Sequence, residues 1–363
     1  MNEKEMLDTI TELSHYYGVE KFVHAGGGNT SCKSADTLWV KPSGTTLLGL
    51  TPSSFVKMDR SKLARLYEVE PPAEATAREA LVKTMMAEAV LPETAGRRAS
   101  VEASLHDSLS ARFVVHTHPA WVNGLTCSLT GEIVARKFFP DSLWIPYTDP
   151  GYTLAMEVRK AVASYKTAHG GAEPKLIFLG NHGVFVSADT AEEIHAIYDD
   201  LEAKLFGAYR AAGVDACKLV KGTSKVDPAK VEEWKRVLAE AWGEEASFVA
   251  CSAPFDVAVG PITPDHMVYS KSFPYFGIMT VENLKNIKAV RGYCPRVIVT
   301  PEAVLGVGKS EKVANLALEL AEDGALVKQA ASVFGGVQYM SDRSRLFIEN
   351  WEVEAFRAQQ QQA

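Results

Sequence analysis

The sequence predicts an α/β protein with one large domain and a smaller C-terminal domain. Segments with apolar residues at the three-to-four-residue spacing of a helix alternate along the chain with short β-rich runs. The chain has 363 residues, of which 47% are hydrophobic and 23% charged, and this is more material than one compact core usually organises. We therefore expect a first domain over residues 1–213, a charged helical connector over 214–246 and a second α/β unit over 247–363.

The first predicted element is an N-terminal helix with Met6, Leu7 and Ile10 on its apolar face. A glycine-rich turn, a short strand around residues 37–41 and a second turn follow it, and two helices are predicted at roughly 74–90 and 100–111. The β-rich run from Arg112 to His118 stops at Pro119. This predicts a buried strand whose C-terminal end meets solvent or a ligand.

A later apolar run, Leu176 to Leu179, gives way to the turn sequence Gly180-Asn181-His182-Gly183, so this strand should deliver His182 at its end. A long helix is predicted over 190–212. The clearest elements of the C-terminal unit are a strand over 296–300, a helix over 310–332 and an amphipathic segment over 346–360. The glutamine tail, 359–362, predicts a frayed helix end or disorder.

Composition argues for a small-molecule partner. The formal net charge is −7 and the pI is about 5.8, so neither a nucleic acid nor an anionic membrane is an expected partner. The N-terminus has no signal-peptide core, and no apolar run approaches the ~18 residues of a membrane span. Five scattered cysteines without a C-x-x-C pair indicate reduced thiols. We therefore expect a cytoplasmic protein.

Three histidines form a candidate metal site. His116 and His118 are two residues apart on a predicted strand and should project from the same face. His182, at the end of another strand, could supply a third ligand. A catalytic zinc site uses three protein ligands and keeps one position open. A lone histidine is more often a core residue, but this combination favours a divalent metal ion.

Glu102 and His106 are four residues apart on a predicted helix and share one face. Glu102 is therefore a candidate general base beside the metal, since a partly desolvated carboxylate can be tuned for proton transfer. The alternative is an ordinary exposed helical pair.

Two loops are dense in small residues with hydroxyl or amide groups. They are the segments 26–31 and 43–45, and free backbone N–H groups in such loops can bind an anion. Asn29, Ser43 and Ser100 could add side-chain donors to a phosphate, and Lys41 lies close enough in sequence to add charge.

These residues belong to five short motifs that occur in a fixed order over about 160 residues. The motifs are G-G-G-N-T-S at 26–31, K-P-S-G-T at 41–45, S-V-E-A-S-L-H at 100–106, H-T-H-P at 116–119 and N-H-G at 181–183. Together they resemble the class II aldolase/adducin family.

The resemblance implies that the three histidines bind a divalent ion, with zinc expected first and cobalt or manganese as alternatives. It makes Glu102 the acid/base and assigns the substrate phosphate to the residues Gly28, Asn29, Ser43, Gly44 and Ser100. The implied fold is a central, mostly antiparallel sheet flanked by helices, and the implied assembly is a homo-oligomer, often a tetramer with sites at subunit interfaces.

The rest of the chain is similar to the aldolase half of bifunctional rhamnulose-1-phosphate aldolase/lactaldehyde dehydrogenases. The matching segments are G-P-I-T-P-D-H at 260–266, R-V-I-V-T-P at 296–301 and G-V-G-K-S at 306–310. This implies cleavage of a ketose 1-phosphate to dihydroxyacetone phosphate and an aldehyde through a metal-stabilised enediolate. No G-x-x-x-G-x-G loop is present, so no NAD chemistry is expected, and the C-terminal unit is expected to be structural.

The sequence departs from the family in two places. Val101 replaces a hydroxyl residue often found before the catalytic acid, and residues 131–140 lack the tyrosine that protonates the aldehyde oxygen in fuculose-phosphate-type members. Lys137, Tyr147 and Tyr152 are the candidates for this role.

Other functions remain as alternatives. Ala303-x4-Gly308-Lys309-Ser310 fits a relaxed P-loop pattern, although a serine there is also an ordinary helix N-cap. A non-catalytic scaffold, as in adducins, is disfavoured because the candidate ligands and acid are all present. Within the family, a sugar-phosphate 4-epimerase would carry aspartate in place of Glu102, whereas a dehydratase also uses glutamate.

Overall fold

A computed structural model describes residues 1–223 and 225–351. The chain forms two compact units, the first made of Met1–Val122 and Gly131–Gly207, the second of Asn123–Thr130 and the chain from Ala208 onward. The glutamine tail and most of the predicted amphipathic end, from residue 352, lie outside the described residues. The assignment of metal and phosphate binding to 1–213 and of a structural role to 247–363 stays a prediction.

A seven-stranded sheet forms the centre of the first unit. Its strands, in chain order, are β1 Asn29–Lys33, β2 Thr37–Val40, β3 Val56–Asp59, β4 Phe113–Thr117, β5 Leu143–Ile145, β6 Leu176–Leu179 and β7 Gly183–Ala188. Their order in the sheet is β3-β2-β1-β4-β7-β6-β5. Every pairing is antiparallel except that of β5 with β6, so the predicted mostly antiparallel sheet is confirmed.

Helices flank this sheet. From the N-terminus to the end of the first unit the helices are α1 Glu3–Tyr16, α2 Arg60–Ala64, α3 Ala75–Ala89, α4 Ala103–Ser108, α5 Ala120–Thr126, α6 Gly131–Phe138, α7 Tyr152–Ala168 and α8 Ala191–Ala211. Short 3-10 turns occupy Arg65–Tyr67 and Pro92–Thr94. Helix α1 begins with a capping box between Asn2 and Glu5. The two side chains accept hydrogen bonds from backbone N–H groups that have no partner within the helix, and this stabilises the first turn.

One predicted helix is shorter than expected. The segment predicted as helical over 100–111 forms only α4, with Glu102 as its N-cap. Leu109 ends the helix because its backbone is extended, with φ −88° and ψ 132°. Glu102 therefore lies at the first turn of a short helix.

The topology brings three strand ends together. In the pairing of β4 with β1, His116 lies opposite Asn29, and in the pairing with β7, Thr117 lies opposite Val184. Because antiparallel neighbours run in opposite directions, the end of β4 meets the beginnings of β1 and β7 at one edge of the sheet. The β6–β7 turn, which carries His182, lies at the same edge.

The second unit contains a smaller sheet of order β8-β11-β10-β9. Its strands are β8 Phe248–Ser252, β9 Tyr275–Phe276, β10 Val297–Val299 and β11 Val304–Gly308. Its helices are α9 Pro228–Trp242, α10 Pro264–Ser270, α11 Val281–Arg291, α12 Glu311–Ala331 and α13 Asp342–Asn350, with 3-10 turns at Gly243–Ala246 and Ser332–Phe334. The predicted second α/β unit is therefore confirmed. Among the described residues, no helix has both the length and the apolar character needed to cross a bilayer.

The P-loop-like sequence has a different structure from a phosphate-binding loop. Residues 304–308 form β11, which pairs with β8 on one side and β10 on the other. Ser310 is the N-cap of α12, and its hydroxyl accepts a hydrogen bond from the Val313 backbone N–H at 3.3 Å. A P-loop wraps phosphates with the backbone of a loop. Here the backbone of the same residues is used in the sheet.

We predict that ATP does not bind this segment. Replacing Lys309 by alanine should leave any turnover of the enzyme within about twofold of the unmodified protein, since surface substitutions rarely have larger effects. Calorimetry with ATP and a steady-state assay would measure both. Micromolar ATP affinity that disappears in Lys309→Ala would instead establish a nucleotide site.

Candidate active site

Three buried histidines converge at the edge where β4 ends. The Nε2 atoms of His116 and His118 are 2.8 Å apart, and the His182 ring centroid lies 5.0 Å from that of His116 and 4.9 Å from that of His118. One ring nitrogen from each residue lies within 4.8 Å of the others. All three side chains are at least nine-tenths buried.

The orientation of the His116 ring is fixed by its surroundings. Its Nδ1 lies 2.9 Å from the carbonyl oxygen of Val184, which can only accept, so Nδ1 donates this hydrogen bond and Nε2 is the ring nitrogen that faces His118 and Glu102. The ring also stacks on Phe185, with centroids 3.8 Å apart. Gly183 makes room beside His118, because a Cβ at residue 183 would lie 2.7 Å from Cδ2 of that ring.

This donor set fits a divalent ion of the zinc type. Neutral imidazole nitrogens are the common ligands of such ions, and three of them leave a coordination position for a further group. Within the part of the chain that the structure describes, these three histidines are a group of potential ligands whose atoms lie close enough together to hold one metal ion. The buried cluster could therefore hold a metal ion.

Glu102 lies against this cluster. Its Oε1 is 3.3 Å from Nε2 of His116 and 4.0 Å from Nε2 of His182. Burial raises the pKa of Glu102, but the imidazoles of His116 and His182 outweigh burial and hold that pKa well below its ordinary value. The carboxylate is thus ionised beside the predicted metal ligands. Burial also lowers the pKa of His106 to about 3, so this imidazole is neutral.

Asn29 and Ser100 adjoin the carboxylate. The side-chain amide of Asn29 donates to Oγ of Ser100 at 2.5 Å and to Oε2 of Glu102 at 3.2 Å. Gly28, just before β1, has φ +67°, and a Cβ there would lie 2.8 Å from the carbonyl oxygen of His116. Only glycine lets the backbone of the first loop approach strand β4 this closely.

The second predicted loop lies beside the first. Ser43 donates its backbone N–H to the Arg98 carbonyl at 2.9 Å, and Gly44 has φ +82°. The buried ammonium of Lys41 donates to the carbonyls of Gly26 at 3.2 Å and Thr45 at 2.7 Å. Lys41 thus joins the two loops.

The candidates for proton transfer to the aldehyde oxygen lie in different places. Lys137 is exposed on α6, and the Tyr152 hydroxyl donates to the Leu66 carbonyl at 3.3 Å. Tyr147 follows β5, whose residue Ile145 accepts a hydrogen bond from the Gly180 N–H at 2.8 Å. Tyr147 is therefore the candidate that lies at the same strand ends as His182.

Two residues of β1 with direct contacts to this region were given no role of their own from the sequence, although Ser31 ends the motif at 26–31. Ser31 hydrogen-bonds to His106, and Lys33 donates to carbonyls of the α4 segment. The sequence predicted a glycine-rich turn here, whereas the structure forms β1, in which the alternate residues Asn29, Ser31 and Lys33 share a face.

Comparison with curated proteins finds a relative that aligns with nearly the whole chain. The uncharacterized oxidoreductase YuxG of Bacillus subtilis strain 168 is 22% identical over 410 aligned positions, which cover 97% of this chain and 58% of that relative. The chain therefore spans less than two thirds of the relative's length.

Solved structures that resemble part of this chain include the N-terminal class II aldolase domain of a conserved protein from Thermoplasma acidophilum. The sequence identity is 24% and the TM-score is 0.47, and the match covers 55% of this chain and 92% of the Thermoplasma chain. The L-fuculose-1-phosphate aldolase of Thermus thermophilus has 17% identity and a TM-score of 0.39 over 58% of this chain and 97% of that one.

A family model decides the relationship. The model for the Class II Aldolase and Adducin N-terminal domain matches residues 8–204, which are more than half of the chain. This segment contains all five motifs on which the resemblance was based, and the resemblance is confirmed. The chain belongs to the class II aldolase and adducin family.

Proposed function

We propose that this protein is a metal-dependent aldolase, a carbon–carbon lyase that cleaves a ketose 1-phosphate to dihydroxyacetone phosphate and an aldehyde. The observation that carries the proposal is the 3.3 Å distance between the Glu102 carboxylate and Nε2 of His116 within one buried cluster of three histidines. A metal site with an adjacent carboxylate can combine charge stabilisation with proton transfer at a single carbon.

His116, His118 and His182 are the proposed metal ligands. A zinc ion, or cobalt or manganese in its place, would polarise the ketose carbonyl and spread the negative charge of the enediolate. The sequestration of these three rings from solvent supports this role, because electrostatic stabilisation is stronger where water is excluded.

The phosphate end of the substrate is assigned to the two joined loops. We propose that Asn29, Ser43 and Ser100 donate from their side chains, and that Gly28 and Gly44 allow the phosphate to approach the backbone. The Asn29 amide already donates to Ser100 and Glu102, so one residue would connect the phosphate position to the acid/base. This arrangement would fix the distance from the phosphate to the reacting carbon.

Glu102 is the proposed acid/base for the carbon. When the carbon–carbon bond breaks, its electron pair stays on the dihydroxyacetone phosphate fragment, and Glu102, after taking up a proton from solvent, delivers that proton to the carbon. In the synthetic direction the carboxylate removes the same proton. A second group must pass the proton of the hydroxyl that becomes the aldehyde oxygen to solvent, which balances the proton that Glu102 takes up, and must return a proton to that oxygen in the reverse direction.

Tyr147 is our candidate for this second group, because it adjoins the strand end that carries His182. The change Tyr147→Phe removes only the hydroxyl and should lower kcat for cleavage by about 10²-fold while KM and metal content stay near their original values. Steady-state kinetics on the two proteins, with Tyr152→Phe as the control, would measure this. Full activity in Tyr147→Phe would eliminate the assignment.

The overall proposal is tested by an assay for dihydroxyacetone phosphate release over a panel of ketose 1-phosphates. At least one should be cleaved, and removal of the metal by a chelator should stop the reaction until zinc, cobalt or manganese is restored. If a panel member is instead converted to a stereoisomer, the protein is a 4-epimerase, and if it loses water, a dehydratase. We further propose a cytoplasmic homo-oligomer, whose size sedimentation would determine.

A further inference from the structure

We propose that Ser31 and Lys33 are positioning residues for Glu102. They hold helix α4, whose N-cap is Glu102, in the place that sets its carboxylate against His116. The inference deepens the proposed function and rests on it for its catalytic consequence, whereas the structural part can be measured without any substrate.

Helix α4 needs such contacts because it is short. It has six residues, and isolated helices below roughly 12 residues are marginal in water. Its N-cap residue also lacks the usual side-chain capping hydrogen bond to the first turn of α4. The position of Glu102 is therefore set by what the helix contacts.

Strand β1 supplies these contacts from one face. Successive side chains of a strand point to opposite faces, so Asn29, Ser31 and Lys33 share a face. All three bond to the segment that contains α4. On the opposite face, the Thr30 hydroxyl bonds to the Ser14 hydroxyl of α1 at 2.7 Å. The two faces of β1 thus hold two different helices.

Lys33 holds the end of α4. Its side chain is buried, and Nζ donates to the carbonyl oxygens of His106 at 2.5 Å and Leu109 at 2.6 Å. Carbonyls in the last turn of a helix have no partner within the helix, and a donor there stabilises that turn. An ammonium has three N–H groups and a neutral amine two, so either form of Lys33 can serve both carbonyls.

Ser31 holds the middle of the helix. Its Oγ lies 2.7 Å from Nδ1 of His106, a residue that is completely buried. The His106 backbone N–H in turn donates to the Glu102 carbonyl at 2.9 Å. The His106 ring also packs edge-on against Phe185, which stacks on His116, so Ser31 links α4 to the metal-binding strand.

Helix α4 has further supports on another side. The Arg60 guanidinium pairs with Asp107 at 2.6 Å, and the Tyr67 hydroxyl donates to the Ser104 carbonyl at 2.7 Å. Loss of a β1 contact should therefore shift α4 locally while the unit stays folded. Misplacement of a catalytic group by about 1 Å can cost roughly 10²-fold in rate.

The test compares Lys33→Met and Ser31→Ala with the control Ser14→Ala. Methionine fills the space of lysine without donors, and the Ser31 variant removes a single hydroxyl, so it remains informative if Lys33→Met folds poorly. Ser14→Ala removes the corresponding buried hydrogen bond on the opposite face of β1. The measurements are kcat, KM, zinc content and deuterium uptake of the peptide covering residues 100–109.

We expect kcat to fall by about 10- to 100-fold in both β1 variants, with KM and zinc content within twofold and with faster deuterium uptake confined to residues 100–109. Ser14→Ala should keep its kcat. Unchanged kcat in both β1 variants of an active enzyme would overturn the inference, and so would a loss of activity that is matched by Ser14→Ala.

The two proposals fail in distinguishable ways. If the unmodified protein cleaves no ketose phosphate, the proposed function fails, and deuterium uptake alone then decides the positioning role. Faster uptake limited to residues 100–109 would support it, and uptake equal to that of the unmodified protein would refute it.

Discussion

Replacing His116 by alanine should abolish binding of the proposed divalent ion. The Nε2 atom of this residue lies 2.8 Å from that of His118 and 3.3 Å from the Glu102 carboxylate, so its loss leaves a pair of ligands where a stable catalytic site uses three. Metal polarisation supplies several kcal/mol of transition-state stabilisation, and cleavage should therefore fall by roughly 10³-fold or more.

Elemental analysis of the purified protein and the cleavage assay would measure both effects. Because the His116 ring also stacks on Phe185, its removal also takes away a packing contact, and His182→Ala is therefore included as a second variant. The exposed His169, whose ring lies over Tyr165, gives a matched control, since His169→Ala should keep both metal and activity. Full metal content in both His116→Ala and His182→Ala would show that the ligand set is wrong.

Part of the histidine site followed from rules that act locally along the chain. Alternation in a strand places His116 and His118 on one face, and the glycines around His182 mark the end of another strand. That the two strand ends meet depends on the pairing of β4 with β7. The sequence supplied this last step only through the family resemblance.

The contacts of β1 with α4 were beyond local rules. Ser31 and His106 are 75 residues apart, and Lys33 reaches carbonyls 73 and 76 residues further along. Periodicity shows that alternate residues of β1 share a face, but it does not show which helix that face meets. The burial of Lys33 became visible only in the structure, and lysine is almost never fully buried without a specific partner.

Which chain segments belong to the second unit also depends on hydrogen bonds between residues far apart in the sequence. Asn123–Thr130 groups with the chain from Ala208 because backbone bonds join Leu129 to Gly336 at 3.0 Å and Gln338 to Cys127 at 2.7 Å. Nothing in the local sequence of 123–130 marks these partners. Likewise, α4 ends early because the backbone of Leu109 is extended and its carbonyl accepts a hydrogen bond from Lys33. Helix propensity contains no information about this distant contact.

Replacing Glu102 by glutamine should abolish most proton transfer while leaving the site assembled. Glutamine keeps the size of the side chain and an oxygen that can accept from Asn29, which now donates to Oε2 of Glu102 at 3.2 Å. An amide cannot accept the proton from carbon, and general acid–base catalysis typically contributes roughly 10²–10⁴-fold, or about 3 to 5 kcal/mol of barrier. We expect kcat to fall by this factor, with zinc content and KM close to those of the unmodified enzyme.

Solvent exchange separates this role from a merely electrostatic one. With dihydroxyacetone phosphate alone in deuterium oxide, the unmodified enzyme should exchange the carbon-bound proton, which NMR detects, and Glu102→Gln should lose this exchange in parallel with cleavage. Glu12→Gln, a change of the same kind at an exposed position of α1, should alter neither rate. If Glu102→Gln exchanges and cleaves at the original rates, no proton transfer at carbon depends on this carboxylate, and Glu102 has no part in the mechanism. The three histidines would then be the part of the proposal that remains to be tested.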